Sequence, residues 1–162
     1  MLSSVPLVSI RRETVAALSP GFAERGDELG LAAARLTYDA EPPSEAALEA
    51  RVEQDIARGA TGLGPHLDDI LIAAGAHDLR GFGSQGEQRL AVLSLLLAEA
   101  DLLGHEPLLL LDDVLSELDP HRQRVLAGRV AGMGQVVITA TQRSALPLEP
   151  AQVVEVTPGQ AR

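Results

Sequence analysis

The chain has 162 residues, enough for one domain with a sizeable hydrophobic core. It contains no cysteine, which excludes disulfides and thiolate metal sites, and its four histidines lack the spacing of zinc ligands. The formal net charge of −10 argues against strong binding of nucleic acid phosphates by this chain alone.

Apolar residues are frequent but form no long run. No stretch reaches the length of a membrane span, and the weakly apolar N-terminus lacks the charge order of a signal peptide. We therefore expect a soluble, cytoplasmic protein without a membrane partner. Aromatic residues make up only 2% of the chain, so the core is expected to consist of Leu, Val, Ile and Ala.

The first third of the chain is predicted to hold short helices around one ambiguous segment. Residues 11–18 suit a short helix that Ser19-Pro20-Gly21 ends. Residues 29–38 fit a strand or a short helix, because their alanines are compatible with both. Residues 45–58 are predicted to form one amphipathic helix with Ser44 as its N-cap.

The middle of the chain is predicted to hold a hairpin and a long helix. A short strand over 70–73 leads into a hairpin turn over 75–78. Residues 84–103 are apolar on almost every side of a helix, a pattern typical of a buried helix.

Four consecutive leucines, residues 108–111, end in the adjacent carboxylates Asp112 and Asp113. Such an apolar run is typical of a strand buried on both faces of a parallel sheet. Ligands bind at the carboxyl ends of such strands, and the two aspartates offer hard oxygen ligands for Mg²⁺. The alternative is a core strand that runs into an acidic turn, with Asp113 capping the next helix.

The C-terminal part is predicted to add a helix over 120–130 and a core strand over 135–139. A last strand over 153–156 is followed by Pro158-Gly159 as its exit turn. Helices that alternate with strands at this spacing indicate an α/β fold with a mostly parallel sheet.

The start of the long helix, Gly83-Ser84-Gln85-Gly86-Glu87-Gln88-Arg89, supports two interpretations. In the first it is a capping box, in which Ser84 caps the helix and Glu87 returns the hydrogen bond. In the second it is an anion site, because the glycines leave N–H groups uncovered at the positive end of the helix dipole.

The order of four motifs is more specific than any one of them. The stretch Ser84-Gln85-Gly86-Glu87-Gln88 resembles the signature motif of ABC-type ATPases, and residues 108–113 resemble Walker B. Residues 116–119, Ser-Glu-Leu-Asp, resemble the D-loop, and residues 139–141 stand where transporters carry a switch histidine. The chain thus resembles the C-terminal half of an ABC ATPase head, preceded by a partial helical lobe.

Within this superfamily the chain most resembles the RecF family of bacterial DNA replication and repair proteins. The resemblance rests on Gly-Pro-His-Leu-Asp-Asp at 64–69, on residues 82–89 and on residues 109–119. Leu67 stands where the family usually has arginine. Residues 61–162 are expected to form the C-terminal half of the head, and residues 1–60 resemble the family's helical second lobe only vaguely.

The resemblance implies binding of ATP and Mg²⁺, slow DNA-dependent ATP hydrolysis, and a head-to-tail homodimer around two nucleotides. It also implies single-stranded or gapped DNA and other recombination mediator proteins as partners, and a place in the SOS response. Asp112 would correspond to the carboxylate directed at Mg²⁺, and Asp113 would orient or activate the attacking water. The implied nucleotide contacts across the dimer are Ser84, Gln85, Gly86, Glu87 and Asp119.

One element of the family is absent from this sequence. The phosphate-binding loop, Gly-x-x-x-x-Gly-Lys-Ser/Thr, needs a lysine, and this chain has none. The simplest account is that Met1 begins a fragment: a truncated gene, an incomplete gene model or half of a split protein. Alternatives are a non-catalytic half-domain that docks on a separate chain with this loop, another ABC head of the SMC or Rad50 type, and an α/β domain without nucleotide.

We predict that this chain alone neither binds ATP tightly nor hydrolyses it, because no lysine can reach the β- and γ-phosphates. Phosphate release at millimolar ATP with Mg²⁺ should equal that of the Asp113→Asn variant. Turnover above that control would contradict the prediction.

Overall fold

A computed structural model of the chain describes residues 5–104, 107–143, 146, 147 and 149–161. The chain divides into two compact units, Met1–Leu102 and Leu103–Arg162. The first part contains α1 (Val5–Leu29), β1 (Ala34–Thr37), α2 (Glu45–Glu49), α3 (Val52–Arg58), β2 (Leu71–Ala74), β3 (His77–Asp78), α4 (Leu79–Phe82) and α5 (Gln85–Leu103). The second contains β4 (Leu109–Leu111), a 3₁₀ helix (Val114–Glu117), α6 (Pro120–Val130), β5 (Val136–Ile138), β6 (Val156–Thr157) and β7 (Gln160–Ala161).

Helix α1 is far longer than the predicted helix over 11–18, and Pro20 lies inside it. A proline in a helix interior costs about 3 kcal/mol. The helix nevertheless continues, because Val8, Val15, Phe22 and Leu29 recur every seven residues and are at most 6% exposed. Burying each such side chain contributes about 1.5–3 kcal/mol, so the stripe outweighs the local preference to stop. The prediction that Ser19-Pro20-Gly21 ends the helix was wrong for this reason.

Arg25 on α1 is a buried charge, 5% exposed, and carboxylates surround it. Its guanidinium forms ion pairs with Glu24 at 3.0 Å and with Glu28. Asp101 of α5 lies 3.1 Å from Nε. A buried charge is tolerated only when it is paired, so this cluster fixes the position of α1 against α5.

Close contact between α1 and α5 also explains why residue 21 is glycine, because a Cβ added at Gly21 would lie 3.2 Å from the Ala98 Cβ.

An antiparallel sheet in the order β1–β2–β3 completes the first unit. Within the ambiguous segment over 29–38, residues 34–37 form strand β1, and Ala34 of β1 pairs with Ala74 of β2. The predicted hairpin is confirmed between β2 and β3. The single helix predicted over 45–58 is instead two helices, α2 and α3, that break around Arg51.

The apolar sequence predicted that α5 is buried on every side, and this prediction was wrong. Its inner side, including Leu90, Leu93 and Leu97, is buried, whereas Val92 is 70% exposed and Leu102 is 53% exposed. Apolar residues lie on all sides of α5 in the sequence, but the described residues of the chain cover only one side of the helix.

The parallel strand pair predicted for the second unit is confirmed. Strands β4 and β5 run parallel in the register Leu109–Val136, Leu110–Val137 and Leu111–Ile138. The predicted burial of β4 on both faces was wrong, because Leu109 and Leu111 are 4% exposed whereas Leu110 is 65% exposed. The predicted strand over 153–156 was also misplaced. Its pairing begins only at Val156, and Pro158-Gly159 forms the turn of the β6–β7 hairpin.

Among the described residues, no helix has the length and apolar character needed to cross a membrane.

Candidate functional site

The start of α5 carries the residues predicted to resemble a signature motif. Ser84 precedes the helix and is exposed, so its hydroxyl reaches the surface. The Glu87 carboxylate accepts from the Ser84 N–H at 2.8 Å and from the Ser84 hydroxyl at 2.7 Å. The Glu87 N–H lies 3.3 Å from the Ser84 hydroxyl oxygen. The capping box is therefore formed, and the same serine remains accessible to an anion.

The electrostatics of this helix start depend on Glu87. The Ser84 hydroxyl and backbone N–H hold the pKa of the Glu87 carboxyl below its usual range. The carboxylate is therefore charged at neutral pH, and it stands beside the positive end of the α5 dipole. A second anion at this position would compete with Glu87 for the Ser84 hydroxyl and for the N–H groups.

The two glycines at the start of α5 have different reasons to be glycine. A Cβ at Gly83 would approach the Leu79 carbonyl oxygen to 2.6 Å, so local packing excludes any side chain there. A Cβ at Gly86 would meet only the Ser84 Oγ, at 4.0 Å. Packing within the described chain therefore gives no reason for Gly86, whereas close approach by another molecule would give one.

The sequence interpretation missed the role of Gln88, the last residue of the signature-like motif. Its side-chain amide donates to the Leu79 carbonyl at 2.8 Å and lies 3.4 Å from the Gly83 carbonyl. Gln88 thereby links the segment from Leu79 to Gly83 to α5 and helps to fix the position of Ser84. The sequence marked Gln88 only as a member of the motif, because a glutamine in the first turn of a helix has no fixed hydrogen-bond partner.

Asp112 and Asp113 lie at the carboxyl end of β4, as predicted. The Thr139 hydroxyl at the end of β5 donates to the Asp112 Oδ1 at 2.5 Å. The Thr139 hydroxyl oxygen in turn accepts from the Asp113 N–H at 2.9 Å. Asp113 has φ of +47°, a left-handed conformation that is uncommon outside glycine. Thr139 therefore links the two strand ends and holds the turn on which both aspartates stand.

Asp113 stands at the N-cap position of the next helix but forms no cap hydrogen bond with its side chain, so only this part of the alternative was wrong. Its backbone carbonyl instead accepts from the Ser116 hydroxyl at 2.9 Å.

Asp112 and Asp113 are both exposed, so their carboxylates are available at the sheet edge. Mg²⁺ is commonly held by one or two carboxylates together with substrate phosphates. Within the described part of the chain, no group of three or more acidic or histidine side chains forms a metal site. Two exposed carboxylates at one sheet edge would suit an ion that is shared with phosphate oxygens.

Asp119 ends the D-loop-like stretch as the N-cap of α6. Its Oδ1 accepts from the His121 N–H at 2.9 Å and from the Arg122 N–H at 3.1 Å, and its Oδ2 pairs with Arg122 at 3.2 Å. These contacts, led by the Arg122 backbone N–H, lower the pKa of the Asp119 carboxyl. The Gln123 amide donates to the Leu115 and Leu118 carbonyls, which holds the loop against α6.

The stretch over 64–69 is anchored within the first unit. Asp68 accepts from the Tyr38 hydroxyl at 2.7 Å and lies 3.8 Å from Arg11. Asp69 accepts from Arg80 of α4 at 3.0 Å, which lowers the pKa of the Asp69 carboxyl. Leu67, at the family's usual arginine position, is 58% exposed. The two aspartates therefore act as structural anchors between loop, strand and helix.

Curated relatives of the chain are RecF proteins. The chain is 45% identical over 154 residues to the DNA replication and repair protein RecF of Anaeromyxobacter sp. (strain K), covering 82% of this chain and 41% of the relative. It is 46% identical over 103 residues to RecF of Listeria monocytogenes serotype 4b (strain CLIP80459), covering 61% of this chain and 28% of the relative. The chain thus spans less than half the length of these relatives. No protein-family model matches the sequence.

Solved structures show the fold. A structure of the recombination mediator protein RecF-ATP in the RecFOR pathway matches 97% of this chain and 46% of its own, with a TM-score of 0.74 and 24% identity. A structure from work on ATP-driven dimerization and DNA stimulated activation of SMC ATPases matches 96% of this chain and 86% of its own chain. Its TM-score is 0.58 and its sequence identity is 15%. The predicted fold, part of an ABC-type ATPase head, is confirmed.

Replacing Thr139 with Val should weaken the turn at the end of β4, since it removes the hydroxyl between Asp112 and the Asp113 N–H. We expect a loss of about 1 kcal/mol in the free energy of unfolding, measured with urea, and faster hydrogen exchange at the Asp113 amide. Thr139→Ser is the matched control, because it keeps the hydroxyl. Equal behaviour of both variants would contradict the prediction.

Removing the Asp119 cap should have a pH-dependent effect on stability. Because the folded-state pKa lies below the ordinary value of 3.8, the cap stabilises above that value and its contribution is lost as the pH falls through the folded-state pKa. The difference in melting temperature between wild type and Asp119→Ala should thus be constant above about pH 5 and shrink at more acidic pH. For Asp119→Asn, a cap without charge, the stability at acidic pH should match wild type. A gap that widens on acidification would refute this account.

Proposed function

We propose, on the premise that this chain belongs to the RecF family and corresponds to the C-terminal region of its members, that it acts in DNA replication and repair. It would supply the signature motif, Walker B and the D-loop of an ATP-dependent head. Residues 61–162 would form this half of the head, and residues 1–60 would belong to the helical lobe. The observation that carries the proposal is the Thr139–Asp112 hydrogen bond, which places a carboxylate at the carboxyl end of a parallel strand pair.

Each site residue has a proposed task. Asp112 would bind the Mg²⁺ of ATP, an ion that would neutralise charge on the phosphates when bound. Asp113, which is exposed beside it, would orient the attacking water. We assign the γ-phosphate of a nucleotide on the opposite subunit to the surface around Ser84, which comprises Ser84, Gln85, Gly86 and Glu87. Asp119 would reach the dimer interface from the start of α6.

The lysine that reaches the β- and γ-phosphates must come from outside this sequence. Its absence here supports a second form of the proposal, in which the chain is a non-catalytic half that docks on a separate chain with the P-loop. An SMC-type head is the less favoured alternative, because the RecF relative is 45% identical whereas the SMC structure is 15% identical.

The partners proposed from the family are single-stranded or gapped DNA, a second copy in head-to-tail arrangement, and other recombination mediator proteins. An acidic chain has few positive charges to offer phosphates, and Arg25, Arg80 and Arg122 are already in ion pairs. The DNA surface would therefore depend on regions of the relatives that this sequence does not match. A cytoplasmic location and a role in the SOS response follow from the same assignment.

A chimera tests the function. The matched region of the Anaeromyxobacter (strain K) RecF is replaced by this chain, and the chimera is expressed in bacteria that lack RecF. We expect it to restore survival after ultraviolet damage, and we expect Asp112→Asn to abolish rescue because the Mg²⁺ carboxylate is lost. Glu149→Gln, which removes an exposed carboxylate outside every motif, is the matched control. Rescue by Asp112→Asn, or none by the wild-type chimera at equal protein level, would count against the proposal.

A further inference from the structure

Phe82 is the one aromatic residue of the chain that lies at the surface. The chain has two phenylalanines, one tyrosine and no tryptophan. Phe22 is 0% exposed and Tyr38 is 8% exposed, whereas Phe82 is 82% exposed. A single exposed apolar side chain is normal in itself, so its meaning depends on how and where the chain holds it.

The backbone that carries Phe82 is held from both sides. Phe82 is the last residue of α4, and the first residue of that helix, Leu79, is 2% exposed. The Leu79 carbonyl accepts from the Gly83 N–H at 3.2 Å and from the Gln88 side-chain amide at 2.8 Å. The aromatic ring therefore projects from a fixed backbone rather than from a loose loop. A group that is held in place before binding loses less entropy when a ligand arrives.

Phe82 lies beside the surface around Ser84. It precedes Ser84 by two residues, so their Cα atoms are at most about 7 Å apart. The glycines near both residues leave this stretch open. A Cβ added at Gly81 would meet only the Asp78 Oδ2, at 3.9 Å, and one at Gly86 would meet only the Ser84 Oγ, at 4.0 Å. A ligand bound at Ser84 therefore meets an open surface with one aromatic ring at its side.

A nucleoside triphosphate matches both parts of this arrangement. Its phosphates suit the Ser84 hydroxyl and the N–H groups of the helix start, and its base is a flat ring that stacks on aromatic side chains. A strand of DNA is the less suitable ligand, because a long polyanion needs many positive charges and the chain has a net charge of −10. The arrangement thus favours the base of a single nucleotide over the bases of a nucleic acid.

We infer that Phe82 stacks on the base of the nucleotide whose γ-phosphate is assigned to Ser84, which is the nucleotide of the opposite subunit. The inference rests on the proposed function and adds a contact for the nucleoside end of that ligand. Stacking requires only a flat π-face, so Phe82 contributes affinity without selecting among bases. The contact also links nucleotide binding to dimer formation, because the base and the ring belong to different subunits.

The test uses the chimera described above, which contains the full 162-residue chain, and follows its dimer formation by sedimentation velocity as ATP with Mg²⁺ is added. Phe82→Ala should raise the ATP concentration for half-maximal dimer formation by about fivefold or more, since the stacking face is lost. Phe82→Tyr keeps the ring and should stay within about twofold of the parent chimera. Ile56→Ala on α3 is the matched control with the same expectation, because Ile56 is 75% exposed but lies outside the motifs.

Two further variants separate stacking from plain apolar contact with the partner protein. Phe82→Leu keeps apolar bulk without a π-face, so it should behave like Phe82→Ala. Phe82→Trp supplies a fluorescent reporter, because the chain has no tryptophan of its own. Its emission is taken as the difference from the parent chimera, which removes any signal from the Anaeromyxobacter part. ATP should quench this emission as the dimer forms, since the base stacks on the indole.

The outcomes distinguish this inference from the proposed function. Unchanged dimer formation by Phe82→Ala or Phe82→Leu, or no quenching in Phe82→Trp as the dimer forms, would overturn the inference alone. Loss of single-stranded DNA binding by Phe82→Ala with normal dimer formation would also overturn it, in favour of a DNA base. The melting temperature of Phe82→Ala should match the parent, because the side chain is exposed. A parent chimera that forms no dimer with ATP would contradict the proposed function and this inference together.

Discussion

The register between β4 and β5 is the constraint on which the candidate site depends. Leu111 pairs with Ile138, so the two strands end side by side and the Thr139 hydroxyl meets the Asp112 carboxylate. A slip of one residue would turn every side chain of a strand to the opposite face. It would expose Leu109 and Leu111 and would separate Thr139 from Asp112. The same strand register therefore sets both the packing of the core and the position of the carboxylates.

The left-handed turn at Asp113 extends this arrangement into the D-loop-like stretch. The Asp113 N–H donates to the Thr139 hydroxyl and the Asp113 carbonyl accepts from the Ser116 hydroxyl, so both backbone polar groups of Asp113 have partners. Farther along, Asp119 and Gln123 hold the loop to α6. These bonds offset the cost of the unusual backbone angle, since the groups would otherwise be unpaired. The carboxylates thus stand on a backbone that is fixed from both ends.

The start of α5 combines a structural and a chemical task in the same atoms. Ser84 and Glu87 complete the helix cap, which satisfies N–H groups that have no partner within the helix. An anion bound there would have to share those donors with a charged Glu87 carboxylate. The helix start is therefore less positive than one with an uncharged residue at position 87, because a carboxylate offsets part of the dipole. Gly86 keeps the surface open beside it.

The sequence by itself determined some of the local elements and the order of the motifs. Capping at Ser44 and Ser84 and the parallel pairing of the leucine strand follow from short-range chemistry and apolar patterning. The tertiary structure decided what depends on distant residues. Helix α1 continues through Pro20 because a buried stripe is stabilised by packing, and Leu110 is exposed because nothing within the described chain covers it. Local preferences amount to a few kcal/mol at most, so burial against distant segments decides where such elements end and which faces remain open.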